Sequence, residues 1–222
     1  MDDPIEAQLE AIARKASQCT ACRLAQTRTH VVFGEGNPRS PLVLVGEGPG
    51  EQEDATGRPF VGRAGQLLDK ALHDAGMKRK HVYICNIVKC RASEVVGGRI
   101  RNRAPQLDEI QACRIWLDAQ LTLIRPLVIV CLGAPSASTI IHKNFKILQE
   151  RGQWFPSPWS PAAIATLHPA YILRQAGASF EQAYQLLVQD LTAARQKVIE
   201  LRRLQEQQQA TPPTQEEQLS LF

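Results

Sequence analysis

"PLVLVGEGPGEQEDATGRPFVGRAGQLLD", residues 41–69, decides the fold. Its first six residues, Pro41 to Gly46, form an apolar run with no polar side, as a strand buried on both faces does. The chain then turns through Gly46, Gly48 and Gly50 and gathers four carboxylates, Glu47, Glu51, Glu53 and Asp54. Beyond Phe60 the spacing predicts a helix over 65–75, ended by Gly76. Strand, glycine turn and helix together make the opening of a βαβ unit.

Outward from this stretch the pattern repeats. "VYICNIV" (82–88), "PLVIVCLG" (126–133) and "AIATLH" (163–168) are further strand-like runs, and helical periodicity covers 108–123 and 135–141. The alternation predicts an α/β chain: a three-layer α/β/α sandwich around a short, mostly parallel, four-stranded central sheet. Residues 179–209 predict one long amphipathic helix packed on it, with Leu186, Leu187, Leu191, Ala194, Val198 and Leu201 on one side. Sheets of this kind bind ligands beyond the carboxyl ends of their strands. The unusual residues fall there: Gly46–Gly50, Asn86–Cys90 and His168–Pro169.

The glycine turn fits neither common phosphate motif. A dinucleotide fingerprint needs glycine where Glu51 stands, and no Gly-Lys-Ser/Thr follows to make a P-loop. Its carboxylates would repel phosphate. They suit a site that develops positive charge on a sugar, as cleavage of a glycosidic bond does.

The chain has 222 residues and a net charge of +4, with three acids and no Lys or Arg from Gln205 onward. The first 204 residues therefore carry the whole basic excess, and Lys89 to Arg103 holds five cations against Glu94 alone. Such a face suits a polyanionic partner. The start, "MDDPIEAQLE", lacks an apolar signal region, and the longest apolar run is too short to span a bilayer, so a cytoplasmic chain with no membrane partner is expected. In that compartment six cysteines favour metal or core roles over disulfides. Cys85 and Cys131 sit within apolar runs and are expected in the core. "CTAC" leaves Cys19 and Cys22 as a knuckle, with Cys90 and Cys113 far along the chain. Four thiolates suit either zinc or an iron–sulfur cluster.

"CTAC", "GEGPGEQED", "GRPFVG", "NIVKCR", "NRAP" and "HPAYIL" together resemble the family 4 uracil-DNA glycosylases, the iron–sulfur branch, over Cys19 through about Arg174. The resemblance implies excision of uracil from DNA by hydrolysis of its N-glycosidic bond. It implies a structural [4Fe-4S] cluster on Cys19, Cys22, Cys90 and Cys113, and a uracil pocket built from Gly46, Gly48, Glu53, Phe60, Asn86 and His168. In that pocket Phe60 offers a stacking face, Asn86 can pair with uracil O4 and N3–H, and His168 can donate to O2 as the base leaves. Two departures stand out. Gly48 occupies the position where the best-known uracil-DNA glycosylases carry a water-activating aspartate, which shifts that task to Glu47. The loop 92–101 is longer than the family's and has no histidine to trap the sugar, so turnover without a covalent adduct is expected. Arg99, Arg101, Asn102 and Arg103 are expected on DNA, with Tyr171 and Ile172 as the wedge that fills the gap left by the flipped nucleotide.

The organisation expected is a catalytic domain over 1–204, acting as a monomer, and a disordered tail over 205–222. The tail ends in "QLSLF", which resembles the bacterial sliding-clamp-binding peptide through Gln218, Leu219, Leu221 and Phe222. The competing readings are a cluster-containing protein that binds damaged DNA without turnover and a zinc-stabilised nucleotide hydrolase.

Overall fold

The computed structural model describes residues 4–210. After helix α1 (Pro4–Ser17) come β1 (Glu35–Gly36) and β2 (Leu42–Gly46), then α2 (Glu51–Thr56), α3 (Arg63–Asp74) and β3 (Tyr83–Asn86). A separate pair follows, β4 (Ser93–Val96) and β5 (Arg99–Asn102), then α4 (Leu107–Ile124), β6 (Val128–Leu132), α5 (Ala134–Ile140) and α6 (Ile147–Glu150). The chain closes with β7 (Trp154–Ser157), β8 (Ser160–Thr166), α7 (Pro169–Ile172) and α8 (Gly177–Ala210).

Among the described residues the main sheet has six strands, not the expected four, in the order β1-β3-β2-β6-β8-β7. The four expected strands are its parallel centre. The two additional strands are antiparallel edges. Neither carries a buried-strand pattern: β1 is two residues long, and β7 contains Pro156, tolerated only where no ladder hydrogen bond is needed.

Alternate residues of the central strands point to opposite faces, and both faces are covered. Leu42, Leu44, Ile84, Val130 and Ile164 meet Leu68 and Leu72 of α3 and Leu187 and Leu191 of α8. Val43, Val45, Ile129, Cys85 and Cys131 meet Leu9 of α1 and Leu117 and Leu121 of α4. Both cysteines in this second set are fully buried.

Two expectations are corrected. The segment after Cys90 is an ordered antiparallel hairpin, pairing Ser93 with Asn102 and Val95 with Ile100. Gly97 and Gly98, at φ 58° and 75°, supply the two left-handed residues that a tight two-residue hairpin turn needs. The tail also does not begin at Gln205, because α8 continues to Ala210. No glycine or proline interrupts 178–210, and its glutamines are good helix formers. The peptide Gln218–Phe222 lies outside the described residues. Among the described residues no helix is long and apolar enough to cross a membrane.

Candidate active site

The carboxyl ends of β2, β3, β6 and β8 open into a cleft of about 800 Å³, within the usual size of a small-molecule site. Its walls include Glu47, Phe60, Asn86, His168, Tyr171 and Arg174.

Asn86 ends β3 in register with Gly46 at the end of β2. It is 1% exposed, and its Oδ1 is buried with no hydrogen-bond partner. An orphaned buried acceptor costs about 1–3 kcal/mol. A side chain at Gly46 would fall on that oxygen and on the Phe60 ring, so glycine lets the two converge. Gly48 lies beside Val88, whose Cγ2 a Cβ would approach to 2.8 Å. Phe60 is held at φ 51°, a left-handed conformation unfavourable for an aromatic residue. Two contacts impose it. Arg79 donates to the carbonyls of Phe60 (3.1 Å) and Pro59, and Gly65, lacking a Cβ, lets the Phe60 carbonyl close in. The Phe60 ring, itself largely buried, faces that of His168 at 5.8 Å between centroids.

The four acids of the turn take separate roles. Glu53 receives the backbone N–H groups of Gly50 (3.1 Å), Val61 (2.9 Å) and Gly62 (2.8 Å), which joins the glycine turn to the Phe60 loop. It is therefore a staple within the cleft wall, its carboxylate engaged by three backbone donors. Asp54 is buried and accepts from the backbone N–H of Thr29. Glu51 is exposed, 3.9 Å from Arg91. Only Glu47 remains: half-buried, lining the cleft, with no hydrogen-bond donor to its carboxylate among the described residues. Burial raises its pKa against the opposing pull of Arg174.

His168 precedes α7 and caps it, its Nδ1 accepting from the Ala170 N–H at 3.0 Å. The proton of the neutral ring therefore sits on Nε2. Burial, aided by Arg174 and opposed by Glu53, pushes its pKa down to about 4. The imidazole is neutral at physiological pH and still a donor.

Sequence reasoning missed three supports. Arg174, six residues past His168, lines the cleft and acts on both titratable groups. Gly133, at φ 92°, packs on the His168 Cβ, and its place at the end of an apolar strand was the available signal. Lys89 is buried and donates to the Asn86 carbonyl (2.8 Å) and to Gln120 Oε1. A lysine directly following an apolar strand was the hint.

The expected DNA contacts divide. Arg99 and Arg101 are exposed on the hairpin. Asn102 lines the cleft and accepts from Arg91 Nε at 2.7 Å. Arg103 also lines the cleft, but its guanidinium is held there: it grips the fully buried Glu109 with two hydrogen bonds, of 2.8 and 2.6 Å. Of the expected wedge, Tyr171 is 37% exposed, but Ile172 is 0% exposed. Consecutive residues of α7 point apart, and Ile172 belongs to the core beneath α8.

Away from the cleft, Cys19, Cys22, Cys90 and Cys113 line one small cavity with Ala16, Val31, Ala112 and Trp116. They share its wall rather than a finished coordination shell, and no three His, Cys, Asp or Glu among the described residues form one. The donor set nevertheless fits a four-thiolate group. Arg28 donates to the Cys19 carbonyl (2.6 Å) and reaches Cys90 Sγ at 3.6 Å, and the Lys89 N–H donates to Cys113 Sγ at 3.2 Å. Burial raises the Cys90 thiol and pushes Cys113 up to about 11, a penalty on thiolates that a bound cationic centre would remove.

The fold and cleft define an α/β domain with an open cleft at the parallel strand ends, a neutral imidazole donor, a half-buried carboxylate and an amide with an unpaired acceptor. Residues 33–192 match the Uracil DNA glycosylase superfamily. The chain is 46% identical over 172 residues to the Type-4 uracil-DNA glycosylase of Thermotoga maritima, covering 76% of this chain and 85% of that one. Similar enzymes are the Type-4 uracil-DNA glycosylases of Sulfurisphaera tokodaii (42% identical; 74% and 76% covered) and Archaeoglobus fulgidus (39%; 74% and 83%). The chain belongs to the uracil-DNA glycosylase superfamily.

Proposed function

We propose that the chain excises uracil from DNA by hydrolysing its N-glycosidic bond. The orphaned Asn86 Oδ1 carries the reading. A uracil seated in the cleft supplies the missing donor with N3–H, while the amide nitrogen donates to O4. Cytosine offers a lone pair at N3 and a donor at position 4, so both contacts become repulsive. Phe60 gives the extruded base a stacking face. His168 Nε2–H donates to O2 as negative charge gathers on the departing base, and a neutral imidazole does so without protonating it. Glu47, as its carboxylate, offsets the cationic sugar, orients the attacking water and accepts its proton as the bond to C1′ forms and uracil leaves as the N1 anion. No group in this scheme forms a bond to the sugar, which fits turnover.

Cys19, Cys22, Cys90 and Cys113 would hold a [4Fe-4S] cluster, a structural tie between the N-terminus, the segment after β3 and α4. A monomer would suffice as the active unit, since every residue of this scheme comes from one chain. Gln218, Leu219, Leu221 and Phe222 would dock on a sliding clamp, with Leu221 and Phe222 as apolar anchors. Deleting Gln218–Phe222 should then abolish co-elution with the clamp.

The deciding assay is single-turnover cleavage of oligonucleotides carrying one uracil or one cytosine. Wild-type protein should leave alkali-labile abasic sites at uracil alone. Asn86→Ala should slow excision by more than a hundredfold with little change in DNA affinity. A loss under tenfold, about 1.4 kcal/mol, would remove Asn86 from this role.

A further inference from the structure

The hairpin of β4 and β5 stands on the rim of the cleft. Its first pair, Ser93 and Asn102, includes a cleft-lining residue, and its next same-face pair is Val95 and Ile100. That pair lies about 7 Å further out, two residues along a strand. Both are apolar and open, Val95 71% and Ile100 64% exposed. The opposite face alternates Val96 and Arg99 with Glu94 and Arg101. The tip stands clear of the protein, since a Cβ on Gly97 or Gly98 would meet nothing within 4 Å. The base is fixed: Arg103 donates its N–H to the Ala92 carbonyl and clamps Glu109 on α4, and Arg91 holds Asn102. The arm thus presents Val95 and Ile100 side by side to water, with Val96, 43% exposed, on its other face, which suits a surface that docks on a partner.

We propose that this hairpin is a second wedge, pressing Val95 and Ile100 into the base stack of duplex DNA beside the extruded nucleotide while Arg99 and Arg101 hold phosphates. Charge decides for DNA over a protein partner. Arg99 and Arg101 are exposed on the hairpin, and its single acid, Glu94, lies across the strands from Arg101. Continuity decides the position, because the apolar pair extends the face on which Asn102 borders the cleft. Tyr171 belongs to the segment after β8, and the hairpin follows β3, with β2 and β6 between these strands in the sheet. The two wedges therefore flank the cleft, and a duplex gripped on both sides of one nucleotide can be held open there. Apolar side chains that part base steps are a common means of bending DNA. The inference rests on the uracil-excision reading for its lesion, and one of its tests is independent of it.

The variant is Val95→Ser with Ile100→Ser, on an exposed arm where neither change touches the core. With uracil substrates, the ratio of kcat/KM on duplex to that on single-stranded DNA should fall about tenfold, because only a duplex has a stack to part. Val95→Leu with Ile100→Leu should restore it. Independently, a duplex with a tetrahydrofuran abasic analogue beside 2-aminopurine reports unstacking without any scissile base. Wild-type binding should raise its fluorescence, and the serine variant should lose at least half of that rise. Arg99→Gln with Arg101→Gln should lower the salt slope of duplex binding by about 1.8. An unmoved duplex-to-single-strand ratio together with an unmoved fluorescence rise would overturn the wedge. So would a serine variant that changes only the oligomeric state, which would make the pair a protein contact. A wild type that raises the fluorescence but releases no uracil would leave the wedge standing and sink the excision reading.

Discussion

His168 and Glu47 face the same cleft with opposite electrostatic needs. The histidine must stay neutral for its Nδ1 to keep accepting from the Ala170 N–H while Nε2–H donates, and burial holds its pKa near 4. Glu47 must be charged to steady a cationic sugar, and burial raises its pKa above the ordinary carboxylate value of 4.5. The acid limb of the rate profile therefore belongs to Glu47. We expect single-turnover excision to fall as pH drops through the raised Glu47 value, and Glu47→Gln to give a slower enzyme with that limb abolished. His168→Gln should be slower too, yet keep the limb. A limb that persisted in Glu47→Gln would reassign the base. The sign for stability is separate. Between pH about 6.5 and about 4 the unfolded chain binds a proton on His168 that the folded chain refuses, so stability declines as pH falls through that window.

At the scale of elements, the glycine turn works because Glu53 fastens it. The start of α2 and the loop before α3 share one carboxylate. That sharing fixes the loop that carries Phe60 beside the end of β2. Glu53→Gln keeps the shape but turns one acceptor into a donor facing backbone N–H groups. The expected cost is about 1–3 kcal/mol, lowered by whatever water reaches this half-buried site. It should show as a lower Tm and as a drop in kcat larger than any change in DNA affinity. Unchanged kcat with lowered Tm would make the staple purely structural. The sequence displayed four acids in this turn and no means of ranking them. Their division between staple, anchor and reacting group depends on backbone N–H groups contributed by Thr29, Val61 and Gly62. Likewise "ASEVVGGRIR", read linearly, shows only a lengthened loop. It becomes an arm only because Gly97 and Gly98 turn it tightly and Arg103 anchors its base.

Across the whole molecule, the cysteines converge from three remote parts of the chain. Cys113→Ser should lose iron and lower the Tm, while Cys85→Ala and Cys131→Ala should retain full iron; colour and near-400 nm absorption report it. Retention of iron in Cys113→Ser with loss in Cys85→Ala would invert the assignment. The sequence by itself determined the four parallel strands, both layers of helices and the strand ends, at Gly46–Gly50, Asn86 and His168, around which the cleft opens. The physical reason is that doubly buried strands are continuous apolar runs, and that ligands gather where such strands end. Tertiary structure alone decided the edge strands, the committed states of Glu53, Asp54 and Arg103, the burial of Ile172, and the supporting places of Lys89 and Arg174. Each depends on a partner distant in sequence or on which side of a helix faces the core, and no local pattern encodes which hydrogen bonds a side chain finds once the chain has closed on itself.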